Sequence, residues 1–115
     1  MINIAIIGSR DFKNKQLLNQ KMQELKAQYG IQTIISGGAK GADTLGVQWA
    51  NKNNIQTQVF YPDFKKHKRV YHYRNRQIVR ASDLIVAFWN GSSTGTKYTI
   101  DYAKSLEKDV VVVKY

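Results

Sequence analysis

The strongest constraint on this chain is an alternation. Five short strand-like runs, Ile2–Ile7, Ile31–Ile35, Gln56–Phe60, Leu84–Trp89 and Val110–Val113, are separated by four longer stretches with helical spacing. A run of this length, rich in β-branched residues and bounded by turn residues, marks a strand. Between the first two runs Leu18, Met22, Leu25 and Tyr29 recur at i, i+4, i+7 and i+11 and stop at Gly30. That is one face of a helix from about Asn14 to Tyr29, with glycine just past its end. Asp43–Lys52, with Leu45 and Trp49 turned inward, Val70–Ser82 and Thr96–Glu107 are the other predicted helices. Continuously apolar strands must be covered on both faces, which implies a parallel sheet with right-handed crossovers. The expectation is a single Rossmann-like, doubly wound α/β domain over residues 1–115, with four helices and five strands in the order 3-2-1-4-5.

Several classes are excluded. A length of 115 residues with no repeat or linker suits one domain, and 43% hydrophobic residues are too many for a disordered tail. No apolar run approaches the ~20 residues of a membrane-spanning helix. The chain enters a strand at once, so no leader is expected and the cytoplasm is the expected setting. There is no cysteine, hence no disulfide or thiolate metal site. His67 and His72 lack a supporting acid, and Ser9, Ser36, Ser92 and Ser93 lack a histidine base. Neither a metal site nor a serine hydrolase is expected.

In a doubly wound fold, ligands bind outside the carboxyl ends of the strands, where the strand order reverses. Six of the eight glycines fall in loops at that edge: Gly8-Ser9-Arg10, Ser36-Gly37-Gly38-Ala39-Lys40-Gly41 and Asn90-Gly91-Ser92-Ser93-Thr94-Gly95-Thr96. Each leads toward a helix whose first turn offers unpaired N–H groups and a positive dipole end, suited to a phosphate or carboxylate. Glycine in a turn is ordinary; three such loops on one rim point to a ligand crevice. Neither the dinucleotide fingerprint nor a Walker A sequence is present, which disfavours dehydrogenases and P-loop ATPases.

Charge adds a second argument. Eighteen Lys/Arg against eight Asp/Glu give a net +10, and residues 64–80 hold seven of these cations and no acid. Such clustering favours an anionic partner, including nucleic acid through the Lys65–Arg80 segment. On a helical wheel Val70, Tyr71, Ile78 and Ala81 share the core-facing arc, while Arg69, Tyr73, Arg76 and Arg80 share the opposite one. Cations crowded at this helix's amino end oppose its dipole, a cost that a bound anion would offset, with Arg74 or Arg76 as a bidentate clamp. Tyr71, Tyr73, Phe88 and Trp89 are candidate stacking rings, with Trp89 preferred because it ends a strand beside a glycine loop.

Gly8-Ser9-Arg10-Asp11-Phe12, Ser36-Gly37-Gly38-Ala39-Lys40-Gly41-Ala42-Asp43, Asn75-Arg76, Ala81-Ser82-Asp83 and Ala87-Phe88-Trp89 followed by Gly91-Ser92-Ser93-Thr94-Gly95-Thr96 resemble the SLOG superfamily, nearest its small YspA-like branch. The resemblance runs from about Ile4 to Ala103. It implies a Rossmann-like domain, frequent in phage and mobile elements, that grips a nucleotide-derived ligand and often forms a homodimer or larger oligomer. Relatives include the Lonely Guy phosphoribohydrolases and DNA processing protein A. In the Lonely Guy enzymes the loop after strand 4 ends in a catalytic glutamate; here Thr99 stands at that place, and Asp101 is rotated about 200° from it. The resemblance carries Arg76 over as the family's arginine, and Asp43 is a candidate acceptor for ribose hydroxyls or a helix-start acid.

The expected function is binding of a nucleotide or nucleotide-derived small molecule, for sensing or sequestration. The contacts would come from Gly8, Ser9, Arg10, Ser36, Gly37, Gly38, Lys40, Asp43, Arg76, Trp89, Gly91, Ser92, Ser93, Thr94, Gly95 and Thr96. No cofactor, metal or membrane partner is implied. The alternatives are an N-glycosidase acting on nucleoside phosphates, which Thr99 disfavours, and a single-stranded nucleic-acid binder.

Overall fold

The computed structural model describes residues 1–65 and 69–115. The elements run β1 (Ile2–Gly8), α1 (Lys15–Tyr29), β2 (Ile31–Ser36), α2 (Ala42–Lys52), β3 (Gln56–Val59), α3 (Val70–Ala81), β4 (Leu84–Trp89), α4 (Thr94–Ser105) and β5 (Asp109–Lys114). All five strands form one sheet in the order β3-β2-β1-β4-β5, and every pairing is parallel. This is the Rossmann-like arrangement expected.

The strand period of two divides the core. Ile4, Ile6, Leu84, Val86 and Phe88 face α1 and α2, meeting Leu18, Met22, Leu25 and Trp49. Ala5, Ile7, Ile85 and Ala87 face α3 and α4, meeting Ile78, Val79, Ile100 and Ala103. Trp49 is buried as predicted, and Leu45 packs half-buried beside it. Tyr29, predicted on the inner stripe of α1, is exposed, because the helix ends there and its last turn leaves the sheet. The inner stripe of α3 is Val70, Arg74 and Ile78, with Val79 beside it. Tyr71, expected in the core, is 44% exposed. Among the described residues, no helix is long and apolar enough to cross a membrane.

One boundary shift bears on function. The predicted fourth helix started at Thr96; α4 starts at Thr94, because the Ser93 hydroxyl caps the Thr96 amide. Thr94 and Gly95 are therefore first-turn residues, whose amides have no intrahelical acceptor, and not loop.

Candidate functional site

A cleft of about 550 Å³ opens at the carboxyl edge of β1 and β4, where the strand order reverses. Its walls are the β1 loop (Gly8 to Asp11), Ala39 and Asp43 at the start of α2, one side of α3 (Tyr71, His72, Arg74, Asn75), and the β4 loop with the first turns of α4. From the sequence-predicted set it gathers Gly8, Ser9, Arg10, Asp43, Ser93, Thr94, Gly95 and Thr96. Ser36, Gly37, Gly38, Lys40, Arg76, Trp89, Gly91 and Ser92 do not line it.

The β4 loop is organised by Asn90. Its side-chain oxygen accepts from the amides of Ser92 (2.8 Å) and Ser93 (2.9 Å), and its amide nitrogen donates to both oxygens of Asp11. Its backbone N–H donates to the Ser9 hydroxyl at 3.2 Å, which ties the two loops together. Asp11 also accepts from the Tyr115 hydroxyl. That bond and the Asn90 bond hold its carboxyl below the ordinary range. The next amides, Thr94 and Gly95, have no partner among the described residues, and a side chain at Gly91 or Gly95 would meet nothing within 4 Å. Two donors at the positive end of α4 thus have no acceptor among the described residues, and both belong to residues that line the cleft.

The β2 loop is built differently. The Asp43 carboxylate accepts from the amides of Gly37 (3.1 Å) and Ala39 (3.3 Å). The Ser36 hydroxyl accepts from Gly38 and donates to the Asp43 carbonyl. Arg74 reaches across from α3 and donates to the carbonyls of Gly37 (2.5 Å) and Phe60 (3.4 Å). A Cβ on Gly37 would lie 2.7 Å from the Arg74 guanidinium and 2.8 Å from Asp43, so both side chains press against that backbone. Gly41, at φ +83°, brings α2 against the β1 loop, where a Cβ would overlap the Ser9 carbonyl. Asp43 and Arg74 are only 5% and 6% exposed. Burial pushes the Asp43 carboxyl up to about 6, against the pull of its backbone donors and of Arg74. Burial likewise draws the Arg74 guanidinium down, while Asp43 supports its charge.

The remaining rings have separate places. Tyr71 lies beneath Arg10 (5.7 Å to the ring centre) and Arg74 (5.9 Å). Trp89 packs with the α3/α4 core, donates its indole N–H to the Ser93 carbonyl at 3.0 Å and carries Lys114 over its ring. It braces the β4 loop from behind and does not face the cleft.

The sequence profile of the "YspA, cpYpsA-related SLOG family" matches residues 2–67. The Gene 61 protein of Mycobacterium phage D29 is 31% identical over 113 residues, spanning 90% of both chains. The chain belongs to this SLOG family. In solved structures its fold is shared by DNA processing protein A from Streptococcus pneumoniae (TM-score 0.79, 20% identity, 96% of this chain and 49% of that one). It is also shared by DNA processing protein A from Helicobacter pylori, described by its single-stranded DNA binding mode (TM-score 0.75, 20% identity, 96% of this chain and 64% of that one). This SLOG chain therefore spans about half the length of the first and under two-thirds of the second.

Within the SLOG framework, the arginine that turns inward is Arg74, where the resemblance pointed to Arg76. Val70, Arg74 and Ile78 recur at intervals of four, so helical spacing alone puts Arg74 on the buried stripe. Arg74 was one of the two arginines offered as a clamp, whereas His72 and Asn75, one turn apart in the cleft wall, were not among the predicted contacts. The signal available for them was their phase on α3 relative to Ile78. Thr99 lies in the wall and donates its hydroxyl to the Gly95 carbonyl at 3.0 Å, so the position offers no carboxylate. Of the basic segment, Lys66 and Lys68 lie outside the described residues, as does His67.

Proposed function

We propose that this SLOG-family protein binds a nucleotide or nucleotide-derived small molecule in the cleft between β1 and β4. The observation that carries this reading is the pair of unpartnered amides, Thr94 and Gly95, at the amino end of α4, facing a cleft that Arg10 also borders. Amides at a helix start, a positive dipole end and an adjacent guanidinium together make a phosphate site. The volume of about 550 Å³ lies in the range of ordinary small-ligand pockets. Asp43 is occupied by the protein's own amides, so its role here is to shape the rim. With a phage protein as relative, the reading extends to sensing or sequestering a signalling nucleotide.

Calorimetric titration with nucleoside mono-, di- and cyclic phosphates, alongside mass spectrometry of any co-purifying molecule, tests this. Saturable one-site binding of a phosphorylated nucleoside is expected. No binding across the panel, with no co-purifying phosphate compound, overturns it.

A second reading is single-stranded nucleic-acid binding, favoured by the seven cations of residues 64–80 and by the stated binding mode of the Helicobacter pylori relative in structure. Arg69, the N-cap residue before α3, and Arg80, on α3, are exposed. Binding of this kind falls steeply as salt rises, because condensed counterions are released. A shallow salt dependence together with tight mononucleotide binding excludes it.

A further inference from the structure

The rings around the cleft are not equivalent. Tyr71 is already covered by two guanidiniums and meets Phe64 edge-on at 5.8 Å. Trp89 faces away, with Lys114 5.4 Å above it. His72 differs from both. On one side it stacks on Tyr98 of α4, with centroids 3.9 Å apart and planes within 14°. Tyr98 is itself parallel to Tyr102 (6.5 Å, 8°), and the Tyr102 hydroxyl accepts from Arg80 at 2.9 Å. A ladder of flat groups thus fixes the plane of the imidazole. His72 lines the cleft, and among the described residues it meets no ring or guanidinium besides Tyr98. A ring already held in one plane loses little rotamer freedom when a second flat group lies on it.

Asn75 sits one turn further along α3, also in the cleft wall. The Arg74 Nε–H donates to its side-chain oxygen at 2.9 Å. Because that nitrogen can only donate, the orientation of the Asn75 amide is settled. Its NH₂ is left free to donate to a ligand, and both Asn75 and His72 line the cleft. A face to stack on, with an edge donor next to it, matches a heteroaromatic ring bearing a ring nitrogen or a carbonyl oxygen.

We infer that His72, backed by Tyr98, is the stacking platform for the nucleobase of the ligand, with Asn75 donating to the base edge. This deepens the nucleotide reading of the same cleft and rests on it. The ligand then lies with its base along α3 and its phosphate on the start of α4. The same chemistry is carried by a free nucleotide and by a nucleotide within a single strand.

The test compares, by calorimetry, nucleoside 5′-monophosphates, ribose 5-phosphate and a short oligothymidylate on wild type, His72→Ala and His72→Phe. Stacking of a base on an aromatic ring supports a loss of about tenfold in nucleotide affinity for His72→Ala. Ribose 5-phosphate, which has no base, should bind both proteins equally, and His72→Phe should restore the nucleotide. Ring-proton resonances of His72, one of two histidines, should move upfield with nucleotide and stay in place with ribose 5-phosphate in the wild type. If His72→Ala weakens every ligand that the wild type binds alike, or none of them, and those resonances do not move, the platform is wrong while the cleft reading stands. If the wild type binds none of the three, both are wrong. A tenfold loss confined to oligothymidylate would retain the platform and assign it to a strand.

Discussion

The loops after β2 and β4 are written in nearly the same alphabet, small residues and glycine running into a helix, yet their glycine-rich stretches are held differently. In the β2 loop every amide from Gly37 to Ala39 has an acceptor within the protein: Asp43 takes two of them and Ser36 the third. In the β4 loop Asn90 takes the amides of Ser92 and Ser93 and leaves Thr94 and Gly95 open. The difference lies in one kind of residue. The first turn of α2 holds an acid, Asp43, and the first turn of α4 holds none. The Asp43 carboxylate folds back onto the loop amides of Gly37 and Ala39 and leaves neither of them free to meet a ligand. On the proposed reading the Gly37–Ala39 stretch of the β2 loop serves folding and the β4 loop serves binding, so substitutions in the two should separate.

The largest effect is expected at Arg74. Arg74→Met keeps much of the side-chain volume but removes the donor to Gly37 and Phe60 and the charge that supports Asp43. Stranding a buried charge and two carbonyls costs about 3–5 kcal/mol, readable as a fall in the urea midpoint at unchanged slope. A loss under about 1 kcal/mol, no larger than a typical single hydrogen bond, would mean that the β2 loop does not depend on its internal pair.

Asp43 gives the next effect, through pH. Its carboxyl titrates near 6 in the folded chain against 3.8 ordinarily, so the neutral form is the one that folding favours. The associated stability is whole below about pH 4 and fades as pH rises through 6. At 1.36 kcal/mol per unit the span is about 3 kcal/mol. Denaturation of the wild type at a series of pH values, set against Asp43→Asn, isolates it. The variant should lose that slope between pH 4 and 7, and a slope identical to wild type would assign the dependence to another group.

How much of this was legible beforehand follows the same division. Strand and helix placement were readable because periodicity and turn residues report burial, which is local information, and the strand order followed from the doubly wound class that the alternation implied. The crevice at the β1/β4 switch point follows from topology once the order is known. What the glycines did not report is whether their amides were free. That depended on Asp43 folding back over four to six residues and on Arg74 crossing 37 positions of sequence to reach Gly37. Trp89 illustrates a second limit. Its place at a strand end was right, but the side it faced followed from the strand's two-residue alternation, which puts it with Ile85 and Ala87 in the α3/α4 layer.

The smallest perturbation is the sharpest test of the β4 loop. Thr94 is the first residue of α4, where proline is well accepted because the N–H it lacks has no helical partner. Ser93 already has φ −61° and ψ 116°, the extended geometry that a following proline requires. Thr94→Pro therefore deletes one open amide while the helix and the Ser93 cap remain, and stability should stay within about 0.5 kcal/mol of wild type. Phosphate affinity should fall about tenfold, since hydrogen bonds to charged groups contribute about 1.5–3 kcal/mol. Arg74→Met, whose side chain also lines the cleft, should show its main effect in the other measurement, a large loss of stability. If Thr94→Pro unfolds the chain as Arg74→Met does, the β4 loop is structural as well and the division fails. If it folds and binds phosphate as before, the anion rests elsewhere in the cleft, and the Arg10 side of the rim becomes the place to look.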